Sequence, residues 1–325
     1  MYLSLFFNYS AKNIMTISVV IPAYNAQAHI ARAIDSVLAQ TLPPDEIIIV
    51  DDGSTDNTAN IVKSYGDKVT YIHQPNSGSG ATRNAGINAA TSEWIAFLDS
   101  DDQWLPEKLQ LQTEYLQNHP NLNWAHSNFY TFSQSRNTNQ ISRDAQKAAE
   151  LLKEKTYFEN YFHSFAAGFP AWTSTIIAKR DIILQTGPFD PSLPLAQDID
   201  LWFKIAYTHP AVGYIPQPLA IYNTETPNSN VKKFTDISYI CNLLDIHIKL
   251  SKKHNRHDDF AICVHPIVHD WVLKLTNQQR HADTRHLLKR YRQYLPPSYY
   301  LRKNFRALFP APVACYNTIA SKMKK

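Results

Sequence analysis

The sequence predicts an α/β protein in which a mostly parallel, Rossmann-like central sheet is flanked by helices and followed by a C-terminal helical subdomain. Three observations lead to this prediction. Short apolar, β-branched runs alternate with segments of helical periodicity between residues 17 and 98. Acidic residues directly follow two of these runs, and ligands of parallel sheets bind beyond the carboxyl ends of the strands. After residue 226 the pattern is helical alone.

The first hundred residues have the βαβ rhythm of a parallel sheet. Predicted strands lie at 17–22, 46–50, 69–73 and 93–98, and the helices between them at 28–40, 58–65 and 81–90. The first strand is almost continuously apolar, as expected for a strand that is buried on both faces. In the first helix apolar residues recur at helical spacing, and Pro43-Pro44 ends it.

The later part of the chain is less regular. A helix at 105–118 and a strand at 123–131 precede a polar stretch, 132–156, which we interpret as a mobile excursion over the site. Strands at 171–178 and 213–222 flank a helix at 198–208, and helices follow at 236–252, 258–277 and 281–294. The predicted divisions are an N-terminal extension (1–14), an α/β domain (15–228) and a basic helical C-terminal region (229–325).

The charge of the 325-residue chain is unevenly distributed. Residues 1–225 carry 14 Lys and Arg against 22 Asp and Glu, and residues 226–325 carry 18 against 6, so the net charges are −8 and +12. This asymmetry indicates an acidic partner for the second half. No stretch reaches the roughly 18 apolar residues that span a bilayer. Residues 1–14 make a poor signal peptide, Met15 is a candidate start, and the three cysteines fit a cytoplasmic protein.

The strongest chemical signal is the segment Asp99-Ser100-Asp101-Asp102, which directly follows a predicted strand. Carboxylates this close repel one another unless a cation is present. Hard oxygen ligands select Mg²⁺ or Mn²⁺, which bind through one or two carboxylates together with substrate phosphates. A solvated acidic turn is the alternative interpretation. The pair Asp51-Asp52 at the end of a second strand of the same sheet favours the metal-binding interpretation.

Four segments resemble, in order and spacing, the motifs of family 2 inverting glycosyltransferases, which have the GT-A fold. They are SVVIPAYN (18–25), VDDGSTD (50–56), GATRNAG (80–86) and FLDSDD (97–102). The resemblance covers residues 16–225. It implies transfer of a single sugar from a nucleotide-diphosphate sugar, with UDP the commonest carrier, to an acceptor hydroxyl. It also implies a Mn²⁺ or Mg²⁺ cofactor and a role in bacterial surface polysaccharide or lipopolysaccharide synthesis.

The resemblance also implies roles for individual residues at the donor site. Asp52 would accept a hydrogen bond from the imide N–H of the base, a contact that thymidine and guanosine also offer. Arg83 would approach the nucleotide or its diphosphate. The residues implied for nucleotide-sugar binding are Pro22, Ala23, Tyr24, Asp52, Arg83, Asp99 and Asp101. Asp102 and Asp101 are the implied metal ligands, and Asp99 is an alternative ligand.

The segment Gln197-Asp198-Ile199-Asp200 resembles the family's acidic pair at the start of an apolar helix, and this makes Asp198 the expected catalytic base. Here Gln197 stands where the family usually has Glu. Helix capping is the alternative role for Asp198. The basic residue and His that many relatives carry after the last strand are missing from residues 222–229, where Glu225 is a candidate substitute.

Aromatic and basic residues predict the remaining contacts. Trp104 and Trp172 are candidate acceptor-stacking platforms, and Trp202 is expected in the core. The basic C-terminal region is interpreted as attaching to an anionic membrane surface, where lipid-linked glycan acceptors lie, and a solvated basic subdomain is the alternative. Nothing in the sequence matches a nucleic-acid-binding motif. A nucleotidyltransferase of related fold and a nucleotide-sugar-binding protein without activity are the alternative functions.

Overall fold

The computed structural model describes residues 15–133, 137–193, 195–224 and 236–308. The predicted N-terminal extension, Glu225 and the tail beyond residue 308 lie outside the described residues. The chain forms two compact units. The first comprises residues 1–159, 171–205 and 211–227, and the second comprises residues 160–170, 206–210 and 228–325.

The described part of the first unit is built around one ten-stranded sheet. Its strands are β1 (Ile17–Ala23), β2 (Glu46–Asp51), β3 (Thr70–His73), β4 (Trp94–Phe97), β5 (Gln103–Trp104), β6 (Trp124–Ser133), β7 (Thr138–Ile141), β8 (Tyr157–Phe158), β9 (Ile177–Lys179) and β10 (Val212–Asn223). The main path has the order β3-β2-β1-β4-β9-β6-β10-β5, while β7 pairs with β6 and β8 with β10. The predicted α/β class is confirmed.

The predicted parallel arrangement is confirmed for the half of the sheet formed by β3, β2, β1 and β4. The other half is mixed. Strand β9 is antiparallel to both β4 and β6, and β10 is parallel to β6 but antiparallel to β5 and β8. Strands β5, β8 and β9 have only two or three residues. Runs this short show no period, so the sequence could not predict their direction.

Helices of the first unit pack against this sheet and against one another. They are α1 (Ile30–Leu38), α2 (Thr58–Lys63), α3 (Ser79–Ala89), α4 (Lys108–Gln117), α5 (Ala145–Leu152), α7 (Arg180–Thr186) and the first nine residues of α8 (Gln197–Thr208). Helix α3 packs closely against β1 at Gly86. A side chain at this position would not fit, since even a Cβ atom would overlap the Val20 side chain. This contact helps to fix the start of α3 beside the carboxyl ends of β1 and β2.

The polar stretch at 132–156 is more regular than predicted. Strand β7 pairs with β6 antiparallel, and α5 begins at an Asp144 side chain that accepts hydrogen bonds from the Gln146 and Lys147 N–H groups. The irregular sequence pattern of this stretch therefore does not mean irregular structure, and its interpretation as a mobile excursion over the site stays a prediction. The four residues of β7 are all exposed and mostly polar, which leaves no apolar alternation for a sequence pattern to detect.

The second unit is helical in its described part, as predicted for the C-terminal region. It contains α6 (Tyr161–Ala166), α9 (Ser238–Lys253), α10 (His257–Asn277), α11 (His281–Arg290) and α12 (Pro297–Leu308). Helix α12 was not predicted as a separate element. Cys241 and Cys263 are buried free thiols. None of the described helices is long and apolar enough to cross a bilayer.

Candidate active site

The carboxyl end of β2 carries two buried aspartates, each at most 3% exposed. In Asp51, one carboxylate oxygen accepts a hydrogen bond from the Ser54 N–H (2.9 Å) and the other from the Tyr71 hydroxyl (2.6 Å). Donors of the protein therefore satisfy both oxygens of Asp51. Its contacts tie the turn after β2 to the neighbouring strand β3.

Asp52 fastens the loop that leads into α3. Its Oδ1 accepts hydrogen bonds from Gln74 Nε2 (2.7 Å) and the Ser77 N–H (2.9 Å), and its Oδ2 accepts one from the Gly78 N–H (2.9 Å). Gly78 has a φ of 86°, a conformation that favours glycine. A carboxylate offers about four acceptor positions, so Oδ2 retains one for a ligand.

The carboxyl end of β1 lies beside this loop. Pro22 and Ala23 are buried within the strand, whereas Tyr24 is 53% exposed. Asn25 adopts a left-handed conformation with a φ of 47°, and its side-chain oxygen accepts a hydrogen bond from the Thr55 N–H (2.8 Å). The turns after β1 and β2 are thus joined, and they present the Tyr24 ring to solvent at the sheet edge.

The acidic segment after β4 is organised by Ser174, which follows Trp172 in a 3₁₀ turn. The Ser174 hydroxyl donates to Asp102 Oδ2 (2.6 Å) and accepts from the Asp99 N–H (3.1 Å). Asp102 Oδ1 accepts a longer hydrogen bond from the Asn223 N–H (3.2 Å). One serine therefore holds both ends of the acidic segment.

The surroundings of Asp102 disfavour the ionised form of its carboxylate. The residue is 1% exposed, and burial raises its pKa well above the usual range. The charges of Asp101 and Asp99 raise this pKa further and outweigh the hydrogen bonds from Ser174 and Asn223. A bound cation would remove both costs, because it neutralises the charge and replaces the lost water ligands.

Arg83 is the basic residue of the site. Its guanidinium donates to Asp99 Oδ1 at 2.5 Å and lies 5.3 Å from the Phe189 ring centroid. Burial lowers its pKa, but the charges of Asp99, and after them Asp198 and Asp101, raise it overall. The Arg83 Nε is buried without a hydrogen-bond partner. The guanidinium thus retains one donor for another acceptor.

Asp198 lies in the first turn of α8. Its Oδ1 accepts a hydrogen bond from the Ile199 N–H (2.8 Å), and its Oδ2 lies 3.4 Å from the Thr173 hydroxyl. Burial is the main cause that raises the pKa of Asp198, and the Asp99 charge adds to it, while the Arg83 charge opposes it. A carboxylate with a raised pKa is a stronger base than an exposed aspartate.

The residue before Asp198 explains how α8 is held at the site. The Gln197 side-chain oxygen accepts a hydrogen bond from the Ser79 hydroxyl (2.9 Å), and its amide group donates to the Leu193 carbonyl. A glutamate could accept from Ser79, but an ionised glutamate could not donate to Leu193. The amide at position 197 therefore joins the starts of α3 and α8 without adding a charge.

Tyr222 shows that the carboxylates share one neighbourhood. Burial raises the pKa of its hydroxyl to about 12, and the charges of four carboxylates add to the effect. These are Asp102, Asp101, Asp99 and Asp198. The contacts agree: Thr173 lies 3.4 Å from Asp198 Oδ2, and the adjacent Ser174 contacts Asp102 and Asp99. Carboxylates from two distant segments of the sequence therefore lie near one another, and Arg83 pairs with Asp99.

The three tryptophans named in the sequence have different environments. Trp104 is 3% exposed, with Lys108 Nζ 4.0 Å from its ring centroid, and its Nε1 donates to the Ser174 carbonyl. Its ring is therefore not offered to a sugar, which corrects its assignment as an acceptor platform. Trp172 is only partly buried and packs against Tyr222, with 4.8 Å between ring centroids. Trp202 is fully buried, as predicted.

Sequence reasoning missed several functional candidates around the carboxylates. They are Thr173, Ser174, Tyr222 and Asn223. None belongs to the four acidic or glycine-containing segments, and hydroxyl residues are common throughout the chain. Two signals were available: Thr173 and Ser174 directly follow Trp172, and Tyr222 and Asn223 begin the stretch 222–229, both of which the sequence analysis had already singled out.

The structure by itself does not outline a closed metal site. Among the described residues, no group of three or more His, Cys, Asp or Glu side chains is arranged to hold a metal ion. An ion such as Mg²⁺ needs no such group, because it commonly takes one or two carboxylates and completes its shell with water and substrate phosphates.

Comparison with protein-family models identifies residues 18–179 as a match to "Glycosyl transferase family 2". The matched stretch includes the ends of β1, β2 and β4, Arg83 and Ser174. The chain belongs to glycosyl transferase family 2. Asp198, Tyr222 and Asn223 lie outside the stretch that the family 2 model matches.

Curated glycosyltransferases are similar to parts of the chain. An uncharacterized glycosyltransferase of Nostoc sp. is 38% identical over 181 residues, which cover 54% of this chain and 55% of the relative. The putative teichuronic acid biosynthesis glycosyltransferase TuaG of Bacillus subtilis is 42% identical over 104 residues, which cover 31% of this chain and 41% of TuaG. The chain spans about half the length of the curated relatives it matches.

The fold also resembles that of a protein of known structure. The crystal structure of Staphylococcus aureus TarS, residues 1–349, in complex with UDP-GlcNAc has a TM-score of 0.69 and 17% identity. The comparison covers 90% of this chain and 89% of that one. It supports the GT-A-like fold predicted from the sequence.

Proposed function

We propose that this protein is a metal-dependent, inverting glycosyltransferase that transfers a single sugar from a nucleotide-diphosphate sugar to an acceptor hydroxyl. The observation that carries the proposal is a set of contacts around residues 173 and 174. Ser174 contacts Asp102 and Asp99, Thr173 lies 3.4 Å from Asp198 Oδ2, and Arg83 pairs with Asp99. Carboxylates beside a buried guanidinium can together provide a metal-binding site, a diphosphate-binding site and a catalytic base.

The proposed nucleotide site lies at the ends of β1 and β2. Pro22, Ala23 and Tyr24 line it, and the remaining acceptor position of Asp52 binds the imide N–H of the base. Uridine is the proposed base because of the family resemblance, and the UDP-GlcNAc complex of TarS supports it. The diphosphate is proposed to lie beside Asp99 and Arg83, where it would accept a hydrogen bond from the unpartnered Nε–H of Arg83.

Asp102 is the proposed principal ligand of a Mn²⁺ or Mg²⁺ ion, and Asp101 binds it directly or through water. The donor set fits such an ion, because a buried carboxylate with a raised pKa lies beside two further carboxylates. When bound, the ion would neutralise charge that develops on the departing diphosphate. Ser174 keeps the Asp102 carboxylate in one orientation.

Asp198 is the proposed catalytic base. Its Oδ2 takes the proton from the acceptor hydroxyl, and the hydroxyl oxygen attacks the anomeric carbon as the bond to the nucleoside diphosphate breaks. One displacement inverts the anomeric configuration. Arg83 donates to the oxygen that carries the new charge. Trp172, which packs beside Tyr222 in this neighbourhood, is the proposed stacking platform for the acceptor.

The proposed biological role is bacterial surface polysaccharide or lipopolysaccharide synthesis, and the name of TuaG supports a polysaccharide product. A lipid-linked glycan acceptor would bring the cytoplasmic protein to the inner face of the membrane. The net charge of +12 on residues 226–325 supports an anionic membrane surface as a partner.

Release of nucleoside diphosphate from a panel of nucleotide sugars, with Mn²⁺ and with EDTA, tests the proposal. We expect metal-dependent release and stabilisation by the correct donor of about 2.7 kcal/mol at 100 times its Kd. Thermal stabilisation without release in the presence of candidate acceptors would favour a binding protein. Formation of pyrophosphate from a nucleoside triphosphate and a sugar phosphate would instead identify a nucleotidyltransferase.

A further inference from the structure

Helix α12 presents an apolar stripe to solvent. Leu301, Phe305 and Leu308 are 65%, 62% and 51% exposed. Because they follow one another at intervals of four and three residues, they fall within an arc of about 60° on the helix. The buried residues of the same helix, Tyr299 and Ala307, lie on the opposite side. The stripe is therefore the outward face of a helix whose other face is packed.

Basic residues flank the stripe on one side. Arg302 and Arg306 each follow a stripe residue directly, and both are exposed. The stretch of sequence that contains them is basic, since residues 284–325 contain ten Lys and Arg and no Asp or Glu. Apolar side chains beside arginines, with no acidic residue along 42 positions, are the pattern of a helix that lies in a membrane interface.

We propose that α12 binds an anionic membrane surface, with Leu301, Phe305 and Leu308 inserted at the boundary between headgroups and acyl chains. Arg302 and Arg306 would contact lipid phosphates. A second copy of this chain fits the stripe less well, because pairing of two such faces would bring arginines of like charge together. The three apolar side chains are few, so binding should be reversible and sensitive to salt.

Sedimentation with vesicles tests this proposal on the full chain. We expect wild-type protein to bind phosphatidylglycerol-containing vesicles at low salt and to bind pure phosphatidylcholine vesicles at least about tenfold more weakly. Replacing the stripe by serine (L301S, F305S and L308S together) should weaken binding to anionic vesicles at least about tenfold. The charge reversals R302E and R306E should weaken binding to anionic vesicles to a similar extent, and the binding that remains should depend less on salt concentration.

The same unit offers a matched control. Ile246, Ile262 and Leu273 are also exposed, at 38%, 42% and 42%, but they lie on α9 and α10. Their replacement by serine should leave vesicle binding within about twofold of the wild type, since these side chains are outside the stripe. Circular dichroism checks that the helices of each variant remain folded. Vesicle binding is compared only between folded stripe and control variants.

Several results would overturn the proposal. They are the absence of wild-type binding to anionic vesicles, equal losses in the stripe and control variants, and a stripe variant that changes the molecular mass in solution while its vesicle binding is normal. Full loss of binding in K322E/K324E/K325E, with none in the stripe variant, would assign the membrane contact to the tail. Vesicle binding is independent of the transfer reaction, so D198N should bind normally whatever its activity.

Discussion

The ends of β2 and β4 look alike in the sequence but differ in how their carboxylates are satisfied. At the end of β2, protein donors meet both oxygens of Asp51 and three acceptor positions of Asp52. At the end of β4, the hydrogen bonds to Asp102 do not offset its burial and its acidic neighbours, and its pKa is raised. Asp51 and Asp52 therefore fix the backbone of the neighbouring turns through hydrogen bonds. In the cluster after β4, the negative charge is not offset by the protein and can be neutralised by a ligand.

This difference separates residues that maintain the fold from residues that bind and react. A carboxylate that accepts hydrogen bonds from buried protein donors, away from other carboxylates, stabilises the folded state, and its removal leaves those donors unpaired. A buried carboxylate among like charges destabilises the folded state until a cation or proton arrives. Substitutions of Asp51 and Asp102 should therefore change stability in opposite directions, and of these two residues only Asp102 should be needed for transfer.

The largest effect on turnover is expected at Asp198, which belongs to the reactive group. The substitution D198N removes the proposed base and should lower kcat about 10²–10⁴-fold, with the Kd for the donor nearly unchanged. Steady-state kinetics and donor titration measure the two quantities. The matched control is D200N, which replaces a carboxylate on the same helix that forms an ion pair with Lys204 (2.6 Å between Asp200 Oδ2 and Lys204 Nζ). That variant should lose stability and keep most of its kcat. Near-normal turnover in D198N would show that another group is the base.

The next largest effect is expected at Asp102. D102N should lower kcat/KM about 10²–10³-fold at saturating Mn²⁺, because electrostatic stabilisation of the leaving group is lost. In EDTA the same variant should unfold at higher urea concentration than the wild type, because it lacks a buried charge whose pKa the fold raises. This gain should outweigh the changed contact with Ser174, whose hydroxyl donates to Asp102 in the wild type and can accept from the new amide group. A lower urea midpoint would mean that Asp102 stabilises the metal-free fold and would remove the contrast with Asp51.

A smaller effect is expected at Ser174, which acts through the carboxylates that it orients. S174A removes the donor to Asp102 Oδ2 and should weaken Mn²⁺ activation or activity about 10–100-fold. The readout is the Mn²⁺ concentration for half-maximal activity, which a purely structural serine would not alter. S174T keeps a hydroxyl and should recover part of the affinity. An unchanged Mn²⁺ dependence in folded S174A would limit Ser174 to packing.

The sequence predicted the elements whose residues are close along the chain. The buried strands β1, β2 and β4 and the acidic residues that follow them form local patterns, so the donor side of the candidate site was predictable. Ser174 was not predictable, because its partners Asp102 and Asp99 lie 72 and 75 residues away. Asn223, 121 residues from Asp102, reaches the site through a backbone N–H that carries no side-chain signal. The burial of Trp104 likewise depends on Lys108 and the distant Ser174.

The smallest effect on catalysis, and the clearest test of the contrast, is expected at Asp51. D51N replaces one carboxylate oxygen by an amide group that cannot accept, so either the Ser54 N–H or the Tyr71 hydroxyl loses its buried partner. The free energy of unfolding should fall by about 1–3 kcal/mol, while kcat/KM below the unfolding transition stays within a few-fold of the wild type. Urea unfolding and kinetics at 25 °C measure both. If D51N were as inactive as D102N while remaining folded, the carboxylates at the end of β2 would belong to the reactive group, and the division between the two strand ends would fail.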